Sequence, residues 1–201
     1  VTGEGAAQEA LHLLGVEVLF GNAQFAAYPG FADDHVERRD QIRHQGLQSP
    51  FEQAALPHLK KTAPGSCLLN TASAAGIYGT GGASVYSATK FGVRAVTEAL
   101  DAEWAEYGIN VRDLMPGFID TPLIDKTPNQ GSNESIRSRV LEGGLEITPP
   151  LAVAQAAWDA VHGDKLHTLV GKTAHRAAFA SRWMPGRMRK MARASKRPLG
   201  N

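Results

Sequence analysis

Apolar residues recur along this 201-residue chain in two alternating periods. Short β-rich runs at 16–20, 67–73, 110–121 and 166–171 predict strands. Between them the spacing turns helical. Val93, Val96, Leu100, Trp104 and Tyr107 are separated by steps of 3, 4, 4 and 3, and Ala88, Phe91, Ala95, Ala99 and Ala102 repeat the same steps. Together they predict a helix over 86–107, stopped by Gly108. At 100° per residue the two stripes lie about 200° apart, so one face can cover a sheet while the other needs a partner. That partner is a second copy of the chain, in a symmetric homodimer or homotetramer formed through the helices 34–61 and 86–107, or the chain's own long helix over 34–61. The long helix has Asp33 or Asp34 as N-cap, a kink at Pro50 and a stop at Pro64 and Gly65. Further helical patterns run over 6–14 and over 151–161, the latter with Pro149 and Pro150 at its first turn. The stretch 121–148 holds Gly, Pro, Asn and Ser with little periodicity and reads as a long connection.

Composition narrows the class. With 43% apolar and 20% charged residues, the length suits one soluble domain over 1–201 with a sizeable core. No apolar run approaches the length of a membrane span and no signal peptide is evident, so a cytoplasmic location is expected. The single cysteine, Cys67, cannot form an internal disulfide and reads as a small buried strand residue. His162 and His167 show no metal-ligand spacing and read as surface histidines; no metal site is expected. The net charge of +1 hides an asymmetry. From Leu166 to Asn201 there are nine Lys/Arg and no Asp/Glu, leaving +9 on this tail and −8 on the body. The tail, helical over about 172–201, interleaves cations with Trp183, Met184, Met188 and Met191. It is either a solvated helix that neutralises the acidic body or a contact for an anionic membrane surface. Nucleic acid is not expected as a partner.

Chemistry concentrates between Ser73 and Lys90. A serine stands at a strand end, a glycine-rich turn follows, and Tyr86-x-x-x-Lys90 opens a helix. Positions i and i+4 share a helix face, so Tyr86 and Lys90 project side by side above Ser73. An ammonium beside a phenol eases loss of the phenol proton, and a serine hydroxyl can hold a carbonyl or alcohol oxygen for that transfer.

These residues resemble the short-chain dehydrogenase/reductase family, whose signature places a serine thirteen residues before the tyrosine of Tyr-x-x-x-Lys, as Ser73 and Tyr86 stand here. The strand ending in Pro116-Gly117-x-x-x-Thr121 is similar to the family's next strand. The resemblance covers 16–171 and implies an α/β, Rossmann-like doubly wound parallel sheet with helices on both faces. It implies an NAD(P)-dependent oxidoreductase that transfers hydride between nicotinamide and a small carbonyl or secondary alcohol substrate. Ser73, Tyr86 and Lys90 would be catalytic. NAD or NADP would be held by Thr2, Gly3, Asn22, Ala23, Tyr86, Lys90, Pro116, Gly117, Ile119 and Thr121, and the connection 121–148 would be the substrate lid.

The sequence departs from the family pattern in three places. After Gly3 the phosphate-binding turn does not continue as Gly-x-x-x-Gly-x-Gly, and about two β-α units are missing before 16–20. Either this is a natural truncation or the chain joins segments of a longer protein; the second is expected, because a sheet lacking inner strands would expose a long edge and apolar faces. Gln24 stands where the family has glycine after Asn22 and Ala23. Arg43 stands where the family has a catalytic asparagine. These departures leave open a different class, a catalytically weak binding or scaffolding protein.

Overall fold

The structure, a computed structural model, describes residues 19–21, 50–127 and 134–194. Four parallel strands form its sheet in the order β1-β2-β3-β6: β1 (Leu19–Gly21), β2 (Cys67–Thr71), β3 (Asn110–Pro116) and β6 (His167–Val170). Leu68 pairs with Val111 and Leu114 with Thr168, so all carboxyl ends lie along one edge. This is the α/β architecture that the resemblance implies.

Helices cover both faces, which explains why β2 and β3 read as nearly continuous apolar runs. Alternation along the strands sends Leu68 and Val111 to one face, where they pack with Ala55 and Leu59 of α1 (Pro50–Thr62) and Leu100 and Trp104 of α2 (Ser84–Trp104). Leu69 and Leu114 face the other way, onto Ala157 and Ala160 of α4 (Pro150–His162). Arg112 shares that second face. It is buried, and its guanidinium donates to the carbonyls of Ala160 and Val161, two of the acceptors that a helix end leaves without intrahelical partners.

The first apolar stripe of α2 therefore covers the sheet, together with α1. The second stripe stays open: Ala88, Ala95, Ala99 and Ala102 are exposed, and Phe91 is 42% exposed. After α2 a 3-10 turn (Ala105–Tyr107) leads to Gly108 at φ +70. Only glycine suits this position twice over, since a Cβ would also meet the Cβ of Pro64 at 2.9 Å.

Several expectations change. The helix bearing Tyr86 starts two residues earlier, at Ser84. The helix expected over 34–61 is described only from Pro50, with Pro57 inside it, so the kink expected at Pro50 falls at the limit of the described residues. The connection 121–148 is not featureless: it carries a 3-10 turn (Pro122–Asp125), α3 (Ile136–Glu142) and β5 (Ile147–Thr148), and β5 pairs with β4 (Phe118–Ile119). Short elements of this kind hold too few residues to show a period. The basic tail forms two helices, α5 (Gly171–Trp183) and α6 (Pro185–Ala194), divided at Pro185, which has no N–H to continue the ladder. Cys67 is buried, as its strand position predicts, and burial pushes its thiol up to about 11. Among the described residues no helix is long and apolar enough to cross a membrane.

Candidate active site

The site lies at the carboxyl edge of β2 and β3, where both strands give way to turns. Ser73 follows β2 in extended conformation and caps a 3-10 turn (Ala74–Gly76), its hydroxyl accepting from the Ala75 N–H at 3.2 Å. The same hydroxyl lies 3.5 Å from the Pro116 carbonyl oxygen, so Ser73 bridges the ends of both strands. It is buried, which removes the freedom an exposed serine would have.

Tyr86 and Lys90 both belong to the first two turns of α2. The Lys90 ammonium donates to the Thr71 carbonyl at 2.9 Å, the last residue of β2, and sits 5.8 Å from the centroid of the Tyr86 ring. Burial of its stem pushes the Lys90 ammonium below the usual lysine range. Tyr86 is 50% exposed, with its ring open to an incoming molecule. An ammonium offers three N–H donors, and among the described residues Thr71 accepts one, which leaves two for a ligand.

Close packing holds the serine turn against the helix. A Cβ at Gly76 would meet the Lys90 carbonyl oxygen at 2.7 Å, so only glycine lets the turn approach this near. Ser87, buried one residue after Tyr86, receives the Thr80 N–H at 3.1 Å and ties down the glycine-rich loop. Deeper in the same interface, Asn70 donates to the Thr97 hydroxyl at 3.0 Å, which donates in turn to the Val93 carbonyl at 2.9 Å. Sequence reasoning missed Gly76, Ser87, Asn70 and Thr97 as supports of the site. The one signal available was a polar Asn70 inside an apolar strand, which demands a buried partner.

Pro116 ends β3, and Gly117 just beyond it lies against Thr173 of α5, whose Cβ is 3.2 Å from where a glycine substituent would stand. Ile119 pairs with Thr148, and Thr121 caps the 3-10 turn that follows. Arg137 of α3 reaches back to this turn, donating to Asp125 at 2.6 Å and to Asp120 at 2.7 Å. Asp125 is held below the usual carboxylate range by that guanidinium. Of the other expected positions, Thr2, Gly3, Asn22, Ala23, Gln24 and Arg43 lie outside the described residues.

His167 corrects its reading as a surface histidine. Its Nδ1 lies 3.0 Å from both oxygens of fully buried Asp113, and its Nε2 is 3.0 Å from Glu98. The Asp113 carboxylate raises the imidazole above its ordinary range, while burial raises Asp113 itself. Among the described residues no group of His, Cys, Asp and Glu is arranged to hold a metal.

A family model described as short chain dehydrogenase matches residues 4–131. D-beta-hydroxybutyrate dehydrogenase of Rhizobium meliloti (strain 1021) is 30% identical over 167 residues, covering 78% of this chain and 64% of that enzyme. The chain thus spans less than two thirds of the length of this relative. A solved short-chain dehydrogenase of Streptomyces avermitilis is 26% identical with a TM-score of 0.55, covering 96% of this chain and 76% of its own. Another, from Burkholderia cenocepacia J2315 in complex with NADP, shares the fold at 18% identity and a TM-score of 0.60, covering 94% and 73%.

Proposed function

The chain belongs to the short-chain dehydrogenase/reductase family, and we propose that it is an NAD(P)-dependent oxidoreductase acting on a small carbonyl or secondary alcohol. The observation that carries this reading is the anchoring of Lys90 on Thr71, which fixes an ammonium beside the Tyr86 ring and directly above the strand that delivers Ser73. NAD or NADP, when bound, supplies the hydride acceptor or donor. The carboxyl edge of a parallel sheet is where such ligands bind, and two free Lys90 donors suit a ribose diol. Pro116, Gly117, Ile119 and Thr121 would line the nicotinamide side.

In this mechanism Ser73 donates to the substrate oxygen and holds it. Tyr86 gives that oxygen a proton during reduction, or removes one during oxidation. Lys90 stabilises the phenolate left behind and orients the ribose. D-beta-hydroxybutyrate, the substrate in the relative's name, is the first compound to assay, followed by a panel of secondary alcohols and ketones with each nicotinamide cofactor. Tyr86→Phe removes one hydroxyl from an exposed ring, so the fold should persist while turnover falls on the order of 10²–10⁴-fold. Near-parental turnover in that variant would sink the assignment. The exposed Ala88, Phe91, Ala95, Ala99 and Ala102 stripe supports a further part of the reading, assembly into a homodimer or homotetramer through α2.

A further inference from the structure

The carboxyl-terminal helix pair carries a surface that the proposed chemistry leaves unused. α5 and α6 enclose an open groove of about 470 Å³, floored by Phe179, Met184, Met188 and Met191 and flanked by Arg176 and Arg187. Phe179, Trp183 and Met191 are 59%, 66% and 64% exposed, so three large apolar side chains stand in water within one short stretch. A cluster of this kind marks an interaction surface.

Three of the four α6 cations stand away from its apolar side, and the fourth, Arg187, borders it. Taking 100° per residue, Met188 and Met191 lie about 60° apart, while Arg189, Lys190 and Arg193 fall about 130–170° from their midline. From Leu166 onward there are nine Lys/Arg and no carboxylate, whereas the rest of the chain carries −8. An occupant must therefore accept apolar side chains and supply dense negative charge. A second copy of this face fails the second condition, since pairing would bring two strongly cationic helix pairs together. Nucleic acid supplies the charge but makes no use of exposed Met191 or of a methionine-floored groove.

We propose that the α5–α6 face docks on an anionic phospholipid bilayer. Phe179, Trp183 and Met191 enter the boundary between headgroups and acyl chains, and the arginines and Lys190 reach the phosphates along their aliphatic stems. The acidic body is repelled by the same surface, which orients the docked molecule.

The test uses the 201-residue chain and vesicles of phosphatidylcholine alone or mixed equally with phosphatidylserine. Each cation near an anionic surface strengthens binding about fivefold, so sedimentation should show partition into the mixed vesicles on the order of a hundredfold above neutral ones, falling as salt is raised. Trp183 fluorescence should shift to the blue on binding, and Trp183→Phe should abolish the shift, because Trp104 is buried and Trp158 is half-buried against His162 on α4, away from this face. Neutralising Arg189, Lys190 and Arg193 to Gln should weaken partition on the order of a hundredfold at unchanged melting temperature. Phe179→Ser with Met191→Ser should weaken it as well. Equal partition into both vesicle types, no partition, or a Trp183-independent shift would overturn the proposal. So would binding to a DNA duplex that Phe179→Ser and Met191→Ser leave intact, or self-association of the free chain that the same substitutions abolish.

Discussion

One methyl group added at Gly76 should disable the joint between the Ser73 turn and the helix bearing Tyr86 and Lys90. A Cβ there would stand 2.7 Å from the Lys90 carbonyl oxygen, 3.0 Å from its carbonyl carbon and 3.4 Å from the Phe91 nitrogen. All three are backbone atoms, so no flexible side chain can yield. Ordinary contact begins at 3.4 Å, which requires turn and helix to part by about 0.7 Å. Gly76 has no positive φ, so its glycine is there for space and not for backbone freedom. Overpacking in a closed interior costs about 1–3 kcal/mol, which for a chain of this length lowers the melting temperature by about 2–12 °C. Misplacement approaching 1 Å in a reacting constellation costs up to about 10²-fold in rate. Gly76→Ala is therefore expected to lower turnover about 10- to 100-fold beyond the change in melting. Gly79 provides the control, since a Cβ there meets nothing within 4 Å. Calorimetry and nicotinamide absorbance on both variants decide the matter. A Gly76→Ala protein with parental melting and turnover, or a Gly79→Ala protein equally damaged, would refute the reasoning.

Thr97→Val keeps shape but leaves the Asn70 amide donor buried without its acceptor, so the urea midpoint should fall by the equivalent of about 1–3 kcal/mol at constant slope. Thr97→Ser should restore most of it, and an unchanged midpoint in Thr97→Val would show that Asn70 finds another acceptor. Arg137→Gln frees the Pro122–Asp125 turn from α3; KM should rise several-fold with kcat and melting little changed, and an unchanged KM would place this connection away from the substrate. His167 and Asp113 both hold protons more tightly folded than unfolded, so their contribution to stability is greatest in acid and is lost as pH rises. Melting temperature should accordingly decline as pH climbs from about 6.5 through the raised histidine value, and His167→Gln should flatten that decline. A slope that survives the substitution would assign it to other groups.

What could be read from the sequence was local. The strands and helices announce themselves by periods of two and 3.6 within a dozen residues, and Tyr86 and Lys90, four residues apart, fall on one helix face by their spacing alone. Phe118–Ile119 and Ile147–Thr148 are too short to show any period, and their pairing across the connection only exists in three dimensions. The polar supports escaped for a related reason: Asn70 finds its partner 27 residues away, Arg112 finds its own 48 away, and His167 bridges Asp113 and Glu98 at separations of 54 and 69.

Arg112 and Asp113 nevertheless left one mark, two charged residues inside an apolar strand, where burial without partners would be prohibitive. Adjacent strand residues point to opposite faces, so these two must be satisfied by different layers. Arg112 is held by the carbonyl end of α4, and Asp113 by His167, which Glu98 of α2 grips from the other side. β3 is thereby clamped from both faces three to four residues before Pro116. The position of Pro116 relative to Ser73 is thus set by polar pairs that tolerate only one register. Sliding β3 by a single residue would exchange Arg112 and Asp113 between faces and strand both charges. The register that keeps the core charge-neutral is the same register that brings the Pro116 carbonyl to the Ser73 hydroxyl.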